Sequence, residues 1–314
     1  MAAVHGLTDL FRIAAEWSEP VEPDAIRRQI RVSHWTVTSD AVACTWDSHP
    51  GDAHSLTHVV APPSLVMPLR MRPMPLAAGW MNARHSEGAV ACSVCAGAFV
   101  LAESGLLDGR RATTHWAFAE TLAARFPEIQ VAAEAMIIDE GDIMTAGGIL
   151  AWADLGLTLV DRLLGPSTML ATARFLLVDP PRGAQGVYRA FIPSLDHGDA
   201  AVLRAQHHLH ATSADPQSIP ALAALSGLAG RTFLRRFARA TGLRPTEYLQ
   251  QVRIMKARDA LELTNSPVDQ ISWKVGYADV SAFRRVFQRV TGVPPNAYRA
   301  RFSRRRAPGP LDVS

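Results

Sequence analysis

The run GYADVSAFRRVFQRVTGVPPNAYR at residues 276–299 repeats, fifty positions on, the outline of LSGLAGRTFLRRFARATGLRPTEYL at residues 225–249. The shift lays Phe233 on Phe283, Arg235 on Arg285, Phe237 on Phe287 and Arg239 on Arg289. It also lays Thr241-Gly242 on Thr291-Gly292, Pro245 on Pro295 and Tyr248 on Tyr298. So many identities at one offset mark an internal repeat. Each copy opens on a short apolar helix, residues 219–225 and 268–275, and turns at a glycine, Gly227 or Gly276. The second helix then carries two phenylalanines four residues apart, which sets both on one face. Ala223 and Ser272, four residues before the turn glycines, are small where two crossing helices must approach. The pattern predicts a helix-turn-helix, written twice.

Stacked helical hairpins of a solenoid would show the same periodicity, and charge separates the two readings. Residues 213–306 hold 17 Arg plus Lys against 6 Asp plus Glu, a balance of +11. Residues 1–196 hold 14 against 21, a balance of −7, so the net +3 of the whole chain conceals a divided molecule. A basic, arginine-rich helical segment fused to an acidic one is the electrostatic footprint of nucleic-acid binding. The two quoted runs resemble the DNA-binding part of the AraC/XylS family of transcription regulators. That resemblance implies two helix-turn-helix units joined by one rigid helix and entering successive major grooves of double-stranded DNA. It adds RNA polymerase as an expected partner.

Because the phenylalanines face the helix-turn-helix cores, the groove face must be the opposite stripe. In the first unit that stripe includes Arg231, Thr232 and Arg235; in the second, Val280, Ala282, Arg284 and Arg285. Arg239 and Arg289 lie a turn further on and are expected at phosphates, which position without specifying. Residues 246–263 carry Tyr248, Leu249, Val252 and Met255 at helical steps and are expected to fix the spacing of the two units.

With 314 residues, 48% of them apolar, the chain is long enough for two cored domains. No apolar run approaches the roughly eighteen residues of a membrane span. The start shows no basic-then-apolar signal, and three cysteines suit a reducing compartment, so a cytoplasmic protein is expected. Residues 3–17 read as an amphipathic helix with Leu7, Leu10, Phe11 and Ala14 on one face, followed by an acidic loop over 18–25. Residues 31–46 and 57–61 read as strands, whereas the Met- and Pro-rich stretch 67–84 carries no clear period.

From residue 89 the texture sharpens. Residues 89–94 read as a strand, Cys95-Ala96-Gly97-Ala98 as a sharp turn, and residues 99–104 as a helix stopped by Gly105. Small residues after the cysteine suit a strained elbow, where a bulky side chain would clash across the turn. A cysteine there faces the positive end of the helix, which favours thiolate. Thr113-Thr114-His115-Trp116 reads as a strand end, 136–145 as a hairpin turning at Glu140-Gly141, and Gly147-Gly148 as the opening of a helix to Leu164. Alternating strands and helices imply a layered α/β domain. The motif SVCAGAFVLAESGLLDGRRATTHW at residues 93–116 resembles the class I glutamine-amidotransferase-like superfamily, which includes the PfpI-type proteases. The GlxA-like regulators are its branch fused to AraC-type units.

The resemblance implies a flavodoxin-like, three-layer α/β sandwich over residues 1–195, an all-α domain with two helix-turn-helix units over 196–306, and a disordered tail over 307–314. It places Cys95 at the elbow, His115 at the nearby histidine position and Asp9 as the acidic residue facing the cysteine. It also implies a homodimer formed through the N-terminal domain. Two departures follow. Ala96 stands where hydrolytic members carry a histidine, which removes the adjacent base a nucleophilic thiol needs. The family also opens on a buried strand where this chain begins almost at the helix; either the natural start lies upstream or the sheet is built without that strand.

Cys95 is therefore read as a nucleophile, a sensing thiol or inherited geometry, expected in a cleft near Asp9 and His115 without a working triad. Cys92 and Cys95 form an isolated C-x-x-C, a weak zinc or dithiol signal. His207, His208 and His210 read as a solvated helix face. Six of the seven tryptophans precede residue 160 and read as core, with an aromatic cage for a cation as the alternative. Residues 179–196, rich in proline, read as a linker partly packed on the first domain. The sequence thus predicts a transcription regulator with a non-catalytic, ligand-sensing domain, no cofactor and no metal. The competing reading is a cysteine-dependent amidase or related hydrolase with an accessory DNA-binding domain.

Overall fold

A computed structural model of the chain describes residues 2–18, 30–52, 55–179, 185–188 and 191–303. Most of the acidic loop and the basic tail with its end, 304–306 and 307–314, lie outside the described residues. Two units result, Met1–Gly186 and Val187–Ser314.

The first unit runs α1 (Ala2–Glu16), β1 (Ser33–Val37), β2 (Val42–Asp47), β3 (His58–Ala61), α2 (Pro75–Ser86), β4 (Val90–Val94), α3 (Gly97–Glu103) and β5 (Arg111–Ala112). It continues through α4 (Ala119–Arg125), β6 (Gln130–Val131), β7 (Ile137–Asp139), β8 (Ile143–Ala146), α5 (Trp152–Leu164) and α6 (Pro166–Phe175). Its main sheet has the order β3-β4-β8-β7. The first three strands are parallel, and β7 returns antiparallel through the turn at Glu140-Gly141. Residues 91–94 of β4 are all buried, as befits a parallel strand covered on both faces. Helices α2 and α3 pack on β3 and β4, while α1, α5 and α6 pack together and α5 reaches β8. This is the flavodoxin-like α/β sandwich. Helix α1 buries Leu7, Leu10, Phe11 and Ala14, the stripe its periodicity predicts.

Several local expectations change. Among the described residues the strands β1 and β2 pair with each other alone and form a separate two-stranded sheet. That hairpin leaves Trp35 and Trp46 exposed, and Trp17 and Trp273 are exposed too, so these four indoles are not core. Trp35 instead lies against Trp80, ring centroids 5.1 Å apart. Residues 67–84 hold a short 3₁₀ turn and most of α2, whose Pro75 occupies the first turn, where a missing N–H leaves no bond unmade. The strand expected at 113–116 ends earlier, at Ala112, after two residues paired with β6. A 3₁₀ turn at Ile149–Ala151 precedes α5, which ends at Gly165 with φ +95°.

The second unit runs α7 (Ala200–Ala211), α8 (Ile219–Leu225), α9 (Gly230–Thr241), α10 (Pro245–Leu263), α11 (Val268–Lys274), α12 (Val280–Thr291) and α13 (Pro295–Phe302). It has two cores. One gathers Leu209, Leu222, Phe233, Phe237, Tyr248 and Val252; the other gathers Ile254, Ala257, Leu261, Ile271, Phe283, Phe287 and Tyr298. The long α10 serves both, its first half facing the first core and its second half the other. Val187 is buried in the second core, and Phe191 packs on Tyr248 with centroids 5.1 Å apart. Val187 and Phe191 therefore pack within the helical unit, whereas the resemblance carries the first domain to residue 195: two apolar anchors decide the place of this stretch. No helix among the described residues is long and apolar enough to cross a membrane.

Candidate functional site

The second helices of the two helix-turn-helix units, α9 and α12, follow one plan. Residues 231–240 and 281–290 show the same succession of exposed, half-buried and buried positions, residue for residue. Phe233 and Phe237 lie 5.5 Å apart with Tyr248 at right angles to Phe237 at 5.4 Å. Phe283, Phe287 and Tyr298 repeat this at 5.6 and 5.4 Å. Burying each phenylalanine contributes about 1.5–3 kcal/mol, which is what seats the helix. Each helix also stops the same way. Gly242 and Gly292 take φ +71° and +81°, open to glycine without strain. The Thr241 and Thr291 hydroxyls donate to the Phe237 and Phe287 carbonyls at 2.8 and 2.9 Å, and accept the Leu243 and Val293 N–H groups.

The outward stripe is not uniform. Arg231, Arg235, Arg239 and Arg285 are exposed and have no side-chain partner among the described residues. Arg236, beside Arg235, is committed: it donates to both carboxylate oxygens of Asp199 at 2.8 and 2.7 Å. This ties α9 to α7, whose N-terminus Asp199 caps, and holds the Asp199 carboxyl below the usual range. Arg284 pairs with Asp269 of α11 at 2.9 Å, both side chains about half exposed, a weak tie. Arg289 donates to Gln250 of α10 at 3.0 Å. Thr232, Val280 and Ala282 are half-buried.

In the first unit Cys95 sits at the end of β4 with φ +54°, a strained conformation for a residue with a β-carbon. Its N–H donates to Ala146 O at 2.8 Å, and the Thr114 hydroxyl donates to its carbonyl at 2.8 Å. Gly97 must be glycine: a β-carbon there would lie 2.2 Å from the carbonyl oxygen of Ala61, at the end of β3. The elbow is therefore real, but its chemistry differs from the expectation. The Cys95 side chain is fully buried. Burial pushes the thiol up to about 11, against a weaker pull down by the N–H groups of Ala96 and His115. Burial outweighs the short helix behind it, so the thiol form prevails at neutral pH.

His115 approaches the thiol through its backbone. Its Nδ1 accepts the Ala117 N–H at 3.1 Å, which places the proton of the neutral ring on Nε2, and burial lowers its pKa. Asp9 lies on the exposed side of α1. Among the described residues neither carboxylate nor imidazole is bonded to the sulfur. Cys92 is also buried, which pushes its thiol up to about 12, and both cysteines are free, with no disulfide between them. His210 is not a solvated face residue: its Nε2 lies 2.8 Å from the Tyr248 hydroxyl. No group of His, Cys, Asp and Glu among the described residues could hold a metal ion.

Sequence reasoning missed Gln185. Its buried amide donates to the Thr113 hydroxyl and to the carbonyls of Thr114 and Ala135, and accepts from Trp116 N–H at 3.2 Å. It thereby fixes the segment that carries His115. Gly147 makes room for it, since a β-carbon there would come within 2.7 Å of the amide nitrogen. One expectation follows from this burial. With a disulfide reagent at pH 8, exposed Cys44 should react at least about 100-fold faster than Cys92 or Cys95. Equal rates for Cys44 and Cys95, assigned by peptide mass, would show the elbow thiol to be reachable.

Residues 59–162 match the model of the DJ-1/PfpI family, and residues 222–301 that of a helix-turn-helix domain. The chain is 29% identical over 212 residues to the HTH-type transcriptional regulator ArgR of Pseudomonas aeruginosa, covering 67% of this chain and 64% of that protein. It is 27% identical over 211 residues to the HTH-type transcriptional regulator GlxA of Rhizobium meliloti, 66% of this chain and 64% of that protein. Isonitrile hydratase of Pseudomonas putida shares 36% identity over 90 residues, 28% of this chain and 38% of that enzyme. The chain spans less than two thirds of the length of these relatives. Fold and site define an α/β sandwich followed by a double helix-turn-helix. In family terms, this protein joins a flavodoxin-like DJ-1/PfpI domain to an AraC-type helix-turn-helix domain.

Proposed function

We propose that this protein is a sequence-specific DNA-binding transcription regulator whose DJ-1/PfpI domain senses a small molecule without turning it over. The observation that carries the reading is the pair of helices whose burial matches residue for residue over 231–240 and 281–290, with unpartnered arginines on an arginine-rich unit. Arg231, Thr232 and Arg235 read bases in one groove, and Arg285, with Val280, Ala282 and the displaceable Arg284, in the next. Arg239 and Arg289 meet phosphate. The curated regulators it resembles support this reading. RNA polymerase, a second copy through the first unit and an effector are its partners, and the cytoplasm its compartment.

The hydrolase reading is disfavoured by a buried, protonated thiol and by Ala96 and Asp9, neither of which supplies a base. Selection of a randomised duplex library should enrich a bipartite site with two boxes about ten base pairs apart. Binding without sequence enrichment would sink the regulator reading. Amide hydrolysis that Cys95→Ala abolishes would establish the enzyme instead.

A further inference from the structure

Comparison of the two copies separates what a helix-turn-helix needs from what their junction needs. Arg253 lies in the middle of α10, between Val252 of the first core and Ile254 of the second. Its Nε donates to Ser213 O at 2.7 Å and its Nη2 to Asp215 O at 3.2 Å. Ser213 and Asp215 stand in the loop between α7 and α8 that leads into the first helix-turn-helix. On its other side the guanidinium lies over the Tyr277 ring, 5.4 Å from its centroid. Tyr277 belongs to the turn of the second helix-turn-helix and packs on Phe283 of α12 at 5.5 Å.

The same loop touches that turn directly. A β-carbon on Gly276 would lie 2.5 Å from Ala214 O, whereas one on Gly227, the equivalent glycine of the first copy, would meet nothing. Lys256, one turn along α10 from Arg253, donates to His210 O and the Ser213 hydroxyl, both at 2.7 Å. In the first copy Leu228 follows the turn glycine where the second has Tyr277, and the position fifty residues after Arg253 is Ser303. Arg253 and Tyr277 are therefore not required by the motif itself.

We infer that Arg253, clasped between the 213–215 loop and Tyr277, is a positioning residue that sets the distance and angle between the two recognition helices, and so the spacing the protein demands of its operator. The inference rests on the DNA-binding reading above. Two separate cores joined by one helix would otherwise hinge where that helix bends, and small bends at its centre are amplified at its ends. A cation bonded to two carbonyls and stacked on an aromatic ring braces the junction from one side.

The test starts from the two boxes selected by the full-length wild type and inserts one base pair between them. The wild type should lose about tenfold or more in affinity, because the insertion shifts and rotates one groove against the other. Arg253→Ala should lose about threefold or less on insertion, with affinity for each isolated box unchanged. Tyr277→Leu, which installs the first copy's residue and keeps the core filled, should relax spacing in the same way; it serves if Arg253→Ala does not fold. Two boxes with equal insertion penalties in wild type and Tyr277→Leu would overturn the clasp while leaving DNA reading intact. A wild type that selects one box only would overturn the bipartite reading, and the clasp with it.

Discussion

Phe287→Ala should destabilise the second helix-turn-helix by about 3–5 kcal/mol, a large share of the roughly 5–15 kcal/mol that holds a domain folded. The ring is fully buried, flanked by Phe283 and Tyr298, and lies in a core separate from that of Phe237. Its loss leaves a cavity that α12 cannot close without sliding off α10, α11 and α13. Phe237→Ala should do the same to the first copy. Leu234→Ala, on the exposed side of α9, should cost under about 0.5 kcal/mol. Urea unfolding followed by circular dichroism measures all three. Hydrogen exchange adds the sharper check: Phe287→Ala should raise exchange in α12 more than in α9. A loss below 1 kcal/mol for Phe287→Ala would show that the repeat does not rest on its aromatic pairs.

The helix-turn-helix repeat was legible because its determinants are local and doubled. Aromatic spacing, a threonine-glycine stop and a turn glycine all act within one motif, and the same burial string at both copies answers them. The elbow was legible for the same reason: Gly97 is small because β3 lies against it. What stayed hidden was partnership across the chain. Gln185 bonds to Thr113, seventy-two positions away, and nothing in its own neighbourhood marks it. Arg235 and Arg236 look alike in sequence, yet Asp199 has claimed only the second. The protonation of Cys95 is not legible locally: the helix end favours thiolate, but burial, a property of the whole fold, decides for the thiol. Asp9, which only the resemblance sets beside the cysteine, is exposed on α1.

Arg235→Ala and Arg285→Ala should each relax base preference at a different position of the operator, the two positions lying about ten base pairs apart. Both side chains project from the exposed stripe opposite the buried phenylalanines, and neither has a side-chain partner among the described residues, so neither must break a bond to reach DNA. An arginine that meets guanine bidentately contributes about 1–3 kcal/mol of discrimination, so each change should level a preference of roughly 5- to 150-fold at its own position. Arg289→Ala should behave differently. Its guanidinium is braced by Gln250 on the long helix, a turn beyond the reading positions, where it suits a phosphate. Its loss should weaken binding to all sequences alike and reduce the slope of log affinity against log salt by about one. Arg284→Ala should have the smaller effect of the adjacent pair, because Arg284 must first leave Asp269. Selection profiles of the variants on a randomised operator library decide the matter. Unchanged base preferences in Arg235→Ala and Arg285→Ala would move the reading to other side chains of the same stripe, Arg231 first, since it too stands unpartnered near the start of α9.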